Sequence, residues 1–399
     1  MKIILLGYSK TTGGAGVAAQ RIADCLKKNK INIKEIFLED FIKKNFFFKL
    51  IYFFISFLSK CIKKLQITKN LNSHSLGLFG FFSANTINNV SGSILNLLWT
   101  NNEVISLKEI SKVRKSRIIW TIFDTWIFSG MEHYTDKKRY LRGYIAENKP
   151  NDQKGFDINR IVWGIKKKLL SEDIRIIATS NWLYKSISKS VIFKNNKIYK
   201  IYCPIDCNIW KPINKNLARK KIGLESDCNV IIYGGGLSRH RKGFDLLEKS
   251  LSLELRLKKK LIVLVLGAEM EQHINSQGVT FKYIKYKESI SEQILYHSAA
   301  DIVAVPSRFD NMPYFGIESM ACKNPLITFD IGGCSEMVDH KKSGWVSKPF
   351  DINNFTKGIQ WMLSDSKRHK ELSENARNFV IRKFNYKDFI NKYRTVVND

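Results

Sequence analysis

The chain has 399 residues, which is long for one hydrophobic core and comfortable for two domains. Hydrophobic residues make up 44% of it, which excludes a globally disordered protein. The 66 Lys and Arg against 36 Asp and Glu give a formal net charge of +30. Part of that charge is a general lysine bias on solvated surface, and the rest indicates an anionic partner. A membrane surface or a phosphorylated ligand is favoured over nucleic acid, because no nucleic-acid recognition motif, repeat or zinc spacing occurs.

The cysteines and acidic residues show no metal-binding pattern. Only Cys203 and Cys207 are close together, and no histidine is spaced to complete a metal site. No Asp-x-Asp triplet occurs. We therefore predict reduced thiols, no metal and no cofactor. Residues 1–7 are too short for a signal peptide and are typical of a first strand, which predicts a cytoplasmic protein.

A glycine-rich turn follows the first predicted strand. An apolar run at 3–6 is typical of a buried strand, and the glycines at 13–16 precede a helix predicted over 17–28. Such a turn lets backbone approach a phosphate or a sugar, which makes Gly14 and Gly16 candidate donor-binding residues. A plain turn is the alternative, because the spacing is not the dinucleotide-binding fingerprint.

Residues 41–65 have the most unusual composition in the chain. The apolar and aromatic run 46–58 is interrupted by one lysine and bracketed by five others: Lys49 inside it, and Lys43, Lys44, Lys60, Lys63 and Lys64 around it. It is shorter than the ~20 residues that a membrane-spanning helix needs. We predict a helix over 43–64 that lies in a bilayer interface. A buried core helix or an aromatic lining between domains is the alternative.

The stretch 301–333 combines a strand, a loop, a helix and a second strand. Apolar runs at 302–305 and 326–329 predict two buried parallel strands. Pro313 stands where a helix can begin, because the first helical position tolerates its missing N–H. The loops of such a unit lie at the carboxyl ends of the strands, where open α/β sheets bind ligands.

Two carboxylates in this stretch favour a sugar nucleotide as the ligand. Asp310 lies in the loop, and Glu318 lies eight residues on, in a helix predicted over 314–322. The helix N-terminus between them suits a phosphate, and a carboxylate on either side suits sugar hydroxyls.

A second anion-binding pattern follows a strand predicted at 230–233. Three glycines at 234–236 lead to Arg241 and Lys242, just before a helix. Glycines after a strand, with cations at the start of a helix, form a cradle for a pyrophosphate. A solvated basic turn is the alternative.

The ordered residues of these patterns resemble the signature of family 4 glycosyltransferases, the retaining enzymes of the GT-B fold. The chain keeps, in the family's order, Arg241-Lys242-Gly243-Phe244, Pro306-Ser307, Glu318, Ala321-Cys322, Pro325 and Gly332-Gly333. It has Asp310 in place of the family's first glutamate and Asn324 in place of a glycine. Gly236 stands where many relatives carry an arginine, for which Arg239 is the candidate replacement.

The segment 120–134 resembles a branch of that family that builds bacterial surface polysaccharides such as colanic acid and O-antigen. Phe123 departs from the branch, which carries there a histidine near the transferred sugar, whereas His133 keeps the second histidine. The resemblance implies catalytic roles for His133, Asp124 and Asp310. A surface or structural role is the alternative for His133.

The resemblance implies an α/β protein of the GT-B fold, with two doubly wound Rossmann-like domains facing a cleft. The expected division is an acceptor-binding domain over 1–205, a nucleotide-sugar-binding domain over 206–383, and a helix over 384–399 that crosses back to the first domain. The implied donor-binding residues are Gly14, Gly16, Arg241, Lys242, Asn311, Met312, Tyr314 and Glu318.

The implied function is retaining, hexosyltransferase-type transfer of a sugar from a nucleoside-diphosphate sugar in O-antigen, capsule or exopolysaccharide assembly. The expected partners are the nucleotide sugar, an undecaprenyl-diphosphate-linked oligosaccharide acceptor and an anionic membrane surface, with no nucleic acid. Base, sugar, linkage and oligomeric state are not set by the sequence. Two alternatives stay open: a GT-B sugar-nucleotide epimerase, which needs no acceptor, and a non-catalytic basic binding protein, which Phe123 favours. We expect the protein on the cytoplasmic face of the membrane.

Overall fold

The structure, a computed structural model, describes residues 2–235, 239–270 and 272–399, except for the side chain of Arg239. The chain divides into two compact units. The first runs to Pro204 and also takes in Lys387–Asp399, and the second is Ile205–Tyr386. The sequence predicted divisions after residues 205 and 383.

The first unit is built on a parallel sheet of six strands. Its strands in chain order are β1 (Lys2–Gly7), β2 (Asn32–Phe37), β4 (Ile94–Leu97), β5 (Arg117–Ile122), β7 (Arg175–Ala178) and β8 (Ile198–Lys200), and a separate antiparallel ribbon pairs β3 (Gln66–Ile67) with β6 (Lys154–Gly155). The spatial order is β2-β1-β4-β5-β7-β8. Apolar runs form these strands because both faces of a parallel sheet are covered by helices.

Helices cover this sheet and bury its apolar side chains. They are α1 (Gly13–Lys28), α2 (Leu38–Lys44), α3 (Phe46–Lys63), α4 (Ala84–Asn88), α5 (Leu107–Ile110), α6 (Ile158–Leu169), α7 (Asn181–Ser188) and the chain's last helix, Tyr386–Asn398, with short 3-10 turns at Arg139–Leu141 and Ala146–Asn148. The last helix is anchored in the core of the first unit, where the Tyr393 hydroxyl accepts a hydrogen bond from Asn96 Nδ2 at 2.9 Å.

The second unit repeats the design with seven strands. They are β9 (Cys228–Gly234), β10 (Lys260–Leu266), β11 (His273–Ile274), β12 (Thr280–Ile284), β13 (Ile302–Val305), β14 (Leu326–Phe329) and β15 (Gly344–Ser347). The spatial order is β11-β12-β10-β9-β13-β14-β15, and all neighbours are parallel except β11 and β12. The helices are α8 (Lys215–Lys221), α9 (Arg239–Lys242), α10 (Phe244–Leu251), α11 (Ile290–Ala299), α12 (Tyr314–Ala321), α13 (Ile352–Leu363) and α14 (Ser366–Lys383), with a 3-10 turn at Cys334–Met337.

The helix predicted over 43–64 is in fact two helices. The chain breaks at Asn45, whose backbone is extended and whose side chain accepts a hydrogen bond from the Phe47 N–H at 2.8 Å. Asn is a favoured N-cap because its side chain satisfies a backbone donor that the first helical turn leaves open. Lys43 and Lys44 therefore end α2, and the aromatic run belongs to α3 alone.

Another predicted boundary was displaced. The glycines at 13–16 form the first turn of α1, because the loop before them is closed by Ser9, whose hydroxyl accepts hydrogen bonds from two N–H groups, those of Thr11 and Thr12. The last strand of this sheet, β8, ends at Lys200. Beyond it, Ile201 donates one hydrogen bond to Ala178, and Pro204 has no N–H to extend a ladder.

Among the described helices, none combines the length and the apolar character that crossing a bilayer would require.

Candidate functional site

The sheet order of the second unit brings two loops together at one edge. β9 and β13 are neighbours in the sheet. The chain continues from β9 to β10 on one side of this pair, and from β13 to β14 on the opposite side. Loops that follow such a pair of strands diverge and leave a crevice at the carboxyl edge of the sheet, which is the usual ligand site of this architecture. Arg241 and Lys242 follow β9, and Asp310 follows β13.

These three predicted residues form one charged cluster. Lys242 Nζ lies 2.6 Å and Arg241 Nη1 3.0 Å from the same oxygen, Oδ2 of Asp310. The other oxygen, Oδ1, accepts a hydrogen bond from the Asn311 N–H at 3.1 Å. The Asp310 side chain is only 8% exposed, whereas those of Arg241 and Lys242 are 25% and 21% exposed. Burial alone would raise the pKa of Asp310, but the two cations outweigh it and lower that pKa.

Two glycines allow the close packing of the loops around this cluster. Gly332 has φ +58°, and a Cβ there would lie 2.1 Å from the carbonyl oxygen of Asp310. The next residue, Gly333, donates its N–H to that same oxygen at 3.2 Å. Gly243 has φ +72°, and a Cβ there would lie 1.9 Å from the carbonyl oxygen of Pro306. Only glycine fits both positions, because any side chain would meet backbone.

The sequence analysis missed a second ion pair beside the cluster. Arg308 donates two hydrogen bonds to Asp245, each of 2.6 Å, and a third to the carbonyl of His240 at 2.8 Å. The pair ties the loop after β13 to the start of α10. The Arg308 hydrogen bonds and charge lower the pKa of Asp245. The only sequence signal was an arginine two residues before Asp310.

The remaining donor candidates of the second unit lie at and within the N-terminal part of α12. Asn311 and Tyr314 are buried, Met312 is half-buried, and Glu318 is buried one turn farther along the helix. Gly236 and the side chain of Arg239, which we considered as the site of a further phosphate contact, lie outside the described residues.

The other candidates belong to the first unit. Gly14 is exposed, and a Cβ there would meet nothing within 4 Å. Gly16 is buried against the loop after β1, and a Cβ there would lie 3.3 Å from the Ser9 carbonyl oxygen. The loops after β1 and β4 meet through a hydrogen bond of 3.1 Å from Tyr8 to the Trp99 carbonyl. Asp124 follows β5, the next strand, and accepts a hydrogen bond of 3.2 Å from the Trp99 indole.

His133 and Asp124 form a second, closed cluster. His133 Nδ1 lies 2.6 Å from Asp124 Oδ2, and His133 Nε2 lies 2.9 Å from the Ser75 hydroxyl. Both ring nitrogens are therefore engaged, and the His133 side chain is only 2% exposed. Burial alone would raise the pKa of Asp124, but His133 and hydrogen bonds from the Trp126 N–H and the Trp99 indole outweigh it and lower that pKa.

The cavity next to this cluster is too small for a sugar. Phe123, Asp124 and Trp99 line a cavity of about 10 Å³, which holds no more than about one water molecule. In this conformation the cluster fixes the shape of the loop at 124–133 from inside. The predicted contact of His133 with a transferred sugar would require this loop to move.

A buried lysine supports the same loop and was not foreseen. Lys166 of α6 is fully buried and donates to three backbone carbonyls, those of Trp126, Ser129 at 3.1 Å and Gly130 at 2.6 Å. Burial lowers the pKa of Lys166 well below its usual value, although nearby carboxylates oppose the shift. Its sequence signal was weak, because it is the first of three consecutive lysines in an amphipathic helix.

Comparison with known proteins finds similarity to glycosyltransferases over part of the chain. The family described as "Glycosyl transferases group 1" matches residues 214–379. An uncharacterized glycosyltransferase of Methanocaldococcus jannaschii is 24% identical over 240 residues, 56% of this chain and 60% of the relative. D-inositol 3-phosphate glycosyltransferase 1 of Catenulispora acidiphila is 23% identical over 196 residues, 45% of this chain and 46% of the relative. The chain thus spans about half the length of these curated relatives.

A solved structure covers the whole chain. The Anabaena protein HepE in complex with UDP-glucose aligns with a TM-score of 0.64 and 15% identity over 100% of both chains. The likeness to a particular branch that builds surface polysaccharides remains a prediction from the segment 120–134. Residues 214–379 match the group 1 glycosyltransferases, and the chain as a whole has the GT-B fold of two Rossmann-like domains.

Proposed function

We propose that the protein is a retaining glycosyltransferase that moves a sugar from a nucleoside-diphosphate sugar to a lipid-linked oligosaccharide acceptor. The observation that carries the proposal is the cluster of Arg241, Lys242 and Asp310 at the carboxyl edge of β9 and β13. It lies within the segment that matches the group 1 glycosyltransferases.

In the proposed reaction the second unit holds the donor. Arg241 and Lys242 bind the diphosphate and stabilise the charge that develops on it as the sugar leaves. Glu318 receives the ribose hydroxyls, and Asp310 lies beside the transferred sugar. The acceptor hydroxyl attacks the face from which the diphosphate departs, which retains the anomeric configuration. The balancing cations are side chains, so the proposal includes no metal ion.

The first donors to test are UDP-sugars, because HepE was solved with UDP-glucose. The protein should be screened for thermal shift and hydrolysis with UDP-, GDP- and dTDP-sugars, with Lys242→Ala as the control. We expect the sugar nucleotides of one base to raise the melting temperature of the wild type. The wild type should also hydrolyse them slowly and release the nucleoside diphosphate. A flat response to every donor would contradict the proposal. Release of an epimerised free sugar nucleotide without acceptor would instead establish the epimerase.

The lipid-linked part of the proposal rests on α3. Seven large apolar side chains of this helix are 45 to 72% exposed: Phe46, Phe47, Leu50, Ile51, Phe53, Phe54 and Phe57. At 100° per residue they fall on one side of the helix. Large exposed apolar patches are rare on soluble proteins and mark interaction sites.

The opposite side of α3 is also apolar, but it is covered. Phe48 packs edge-on against Phe81 with ring centroids 5.4 Å apart, and Tyr52 lies 6.4 Å from Tyr8. Ser59 is buried on the same side. The structure therefore contradicts a fully buried core helix, because one side anchors α3 to the first unit while the other stays open.

Exposed lysines make an anionic bilayer the fitting partner for the open side. Lys49, Lys60 and Lys64 are exposed along α3 and at its end, and Lys44 is exposed just before it. Lys43 instead pairs with Glu39 at 3.0 Å, and Lys63 donates to the His74 carbonyl at 3.2 Å. Each exposed lysine near an anionic surface contributes about 1 kcal/mol, weakened by salt. We propose that α3 lies in the cytoplasmic face of the membrane, where a lipid-linked acceptor presents its sugars.

Liposome sedimentation tests this docking. The wild type should bind vesicles containing anionic lipid and lose binding with salt, and the triple variant Phe53→Ser, Phe54→Ser, Phe57→Ser should bind at least about tenfold less. The matched control replaces Ile274, Tyr286 and Ile290, which are similarly exposed on the second unit, by serine. Equal loss in both variants, or no binding by the wild type at low salt, would contradict the role of α3.

A further inference from the structure

We propose that Asp310 acts as an internal counter-anion that occupies the cations of the donor site until a diphosphate replaces it. The inference rests on the proposed function and deepens it, because it concerns how that site takes and releases its nucleotide. Its basis is the convergence of Lys242 Nζ and Arg241 Nη1 on the single oxygen Oδ2 of Asp310.

The Asp310 carboxylate is held in position, so an exchange of partners requires the two cations to move from it to the diphosphate. Asp310 Oδ1 is held by the Asn311 N–H, and the backbone of Asp310 is held through its carbonyl by Gly333. Gly332 lets the two loops pack this closely, because a Cβ there would lie 2.1 Å from the Asp310 carbonyl oxygen. Arg241 and Lys242, by contrast, end side chains that are 25% and 21% exposed. Lys242 Nζ can swing toward an incoming anion, whereas Arg241 Nη1 also donates to the Phe309 carbonyl at 3.1 Å and presents its other N–H groups instead.

The two anions compete for the same donors. A charge-assisted hydrogen bond is about twice as strong as a neutral one, so a diphosphate must offer more than the carboxylate already gives. A diphosphate carries several oxygens and more charge than one carboxylate, so it can displace the carboxylate from the two cations. Asp310 then gives up the two cations, keeps the hydrogen bond from the Asn311 N–H and faces the bound donor. When the diphosphate leaves, the carboxylate takes the cations back, which opposes tight retention of the product.

If Asp310 is a counter-anion, a neutral residue at 310 strengthens anion binding. The alternative is that Asp310 holds Arg241 and Lys242 in their binding positions, in which case its loss would weaken anion binding. The two roles therefore predict opposite changes in anion affinity when Asp310 is replaced. Inorganic pyrophosphate is the appropriate probe, because it has the charged part of the donor and neither base nor sugar.

The experiment is calorimetric titration of pyrophosphate into the wild type, Asp310→Asn and Asp245→Asn. Asp245→Asn is the matched control, because it removes an equal charge from the neighbouring pair with Arg308, on the same loops. We expect Asp310→Asn to bind pyrophosphate about tenfold more tightly than the wild type, with a steeper salt dependence, and Asp245→Asn to change the affinity much less. Asp310→Ser provides a second variant should the asparagine prevent folding.

Weaker or unchanged binding by folded Asp310→Asn or Asp310→Ser would overturn the inference, as would an equal gain in Asp245→Asn. A titration of the nucleoside diphosphates UDP, GDP and ADP into the wild type separates this failure from that of the proposed function. If the wild type binds one of them and the 310 variants do not bind pyrophosphate more tightly, the counter-anion role fails alone. If the wild type binds none of them, the donor site itself is wrong.

Discussion

Asp124 and Asp310 are buried carboxylates of the two units, and their surroundings are opposite. Each follows a central strand at the carboxyl edge of its sheet, each is buried, and each has a lowered pKa. Asp124 faces a buried histidine, an indole and a backbone N–H. Asp310 faces two partly exposed cations.

The difference indicates which cluster can exchange its partners. Two partners of Asp124 are themselves buried and hydrogen-bonded elsewhere, since His133 also contacts Ser75 and Trp126 also donates to the Ser75 carbonyl, while the third, Trp99, is half-buried. Replacing any of them would leave a buried polar group unsatisfied, which is costly. The partners of Asp310 reach solvent and can turn toward an anion. We therefore interpret the first cluster as a support for its loop and the second as the ligand site.

The largest expected effect is that of Lys242→Ala on turnover. Loss of a cation that stabilises the leaving diphosphate should lower kcat by about 10²- to 10³-fold. Binding of the nucleoside alone should change little. Normal turnover by the double variant Arg241→Ala, Lys242→Ala would place the diphosphate elsewhere.

Glu318→Ala should weaken donor binding by about 1–3 kcal/mol, because a buried carboxylate that pairs with ribose hydroxyls would be lost. Calorimetry with the nucleoside diphosphate measures the change. The neighbouring Ser319→Ala, also buried in α12, is the control for helix packing. Unchanged affinity in folded Glu318→Ala would refute the assignment.

His133→Ala should lower turnover by up to about 100-fold, because the loop at 124–133 would lose its support and small misplacements near a reaction are costly. Nucleotide binding should not weaken, because the donor is proposed to bind the second unit. If the histidine supports the loop rather than touching the sugar, His133→Gln should restore part of the activity by keeping one hydrogen bond. Phe123→His, which restores the family pattern, tests whether a second histidine can serve there. Full activity in His133→Ala would place the histidine outside the reaction.

The smallest expected effect is on the pH dependence of stability. The folded pKa of Asp124 is lowered, so its contribution is present above the unfolded pKa and is lost as pH falls through the folded pKa. Asp124→Asn should therefore reduce the free energy of unfolding by about 1–2 kcal/mol at neutral pH. This difference between the wild type and the variant should become smaller below about pH 4. Exposed Asp330→Asn is the control. A gap that stays constant into acid would mean that charge is not what Asp124 contributes.

The sequence predicted the strands that have an uninterrupted apolar run, but it did not predict β2 or β15, and it predicted the contacts between loops poorly. Runs such as Ile302–Val305 and Leu326–Phe329 were predicted to the residue, because their burial leaves an uninterrupted apolar pattern. The break at Asn45 could have been read from its N-cap preference, but the aromatic run on one side concealed it. The order of residues also indicated Lys242 and Asp310 as parts of one site.

The sequence could not predict contacts between residues that lie far apart along the chain and share no local pattern. Arg308 and Asp245 are 63 positions apart, and Ser75 and His133 are 58 apart. Lys166 has its role only because the carbonyls of a loop some 40 residues away turn toward it. Such contacts are set by how the loops close over the sheets, which no spacing along the chain encodes.

The most direct test of the ligand site compares nucleoside diphosphates with their nucleosides by calorimetry. UDP, GDP and ADP, each with the matching nucleoside, should be titrated into the wild type and the variant Arg241→Ala, Lys242→Ala. The account predicts that the preferred diphosphate binds the wild type at least about tenfold more tightly than its nucleoside, and that the variant loses most of this difference. An equal preference for the diphosphate in both proteins would contradict the claim that this cluster is the donor's phosphate site.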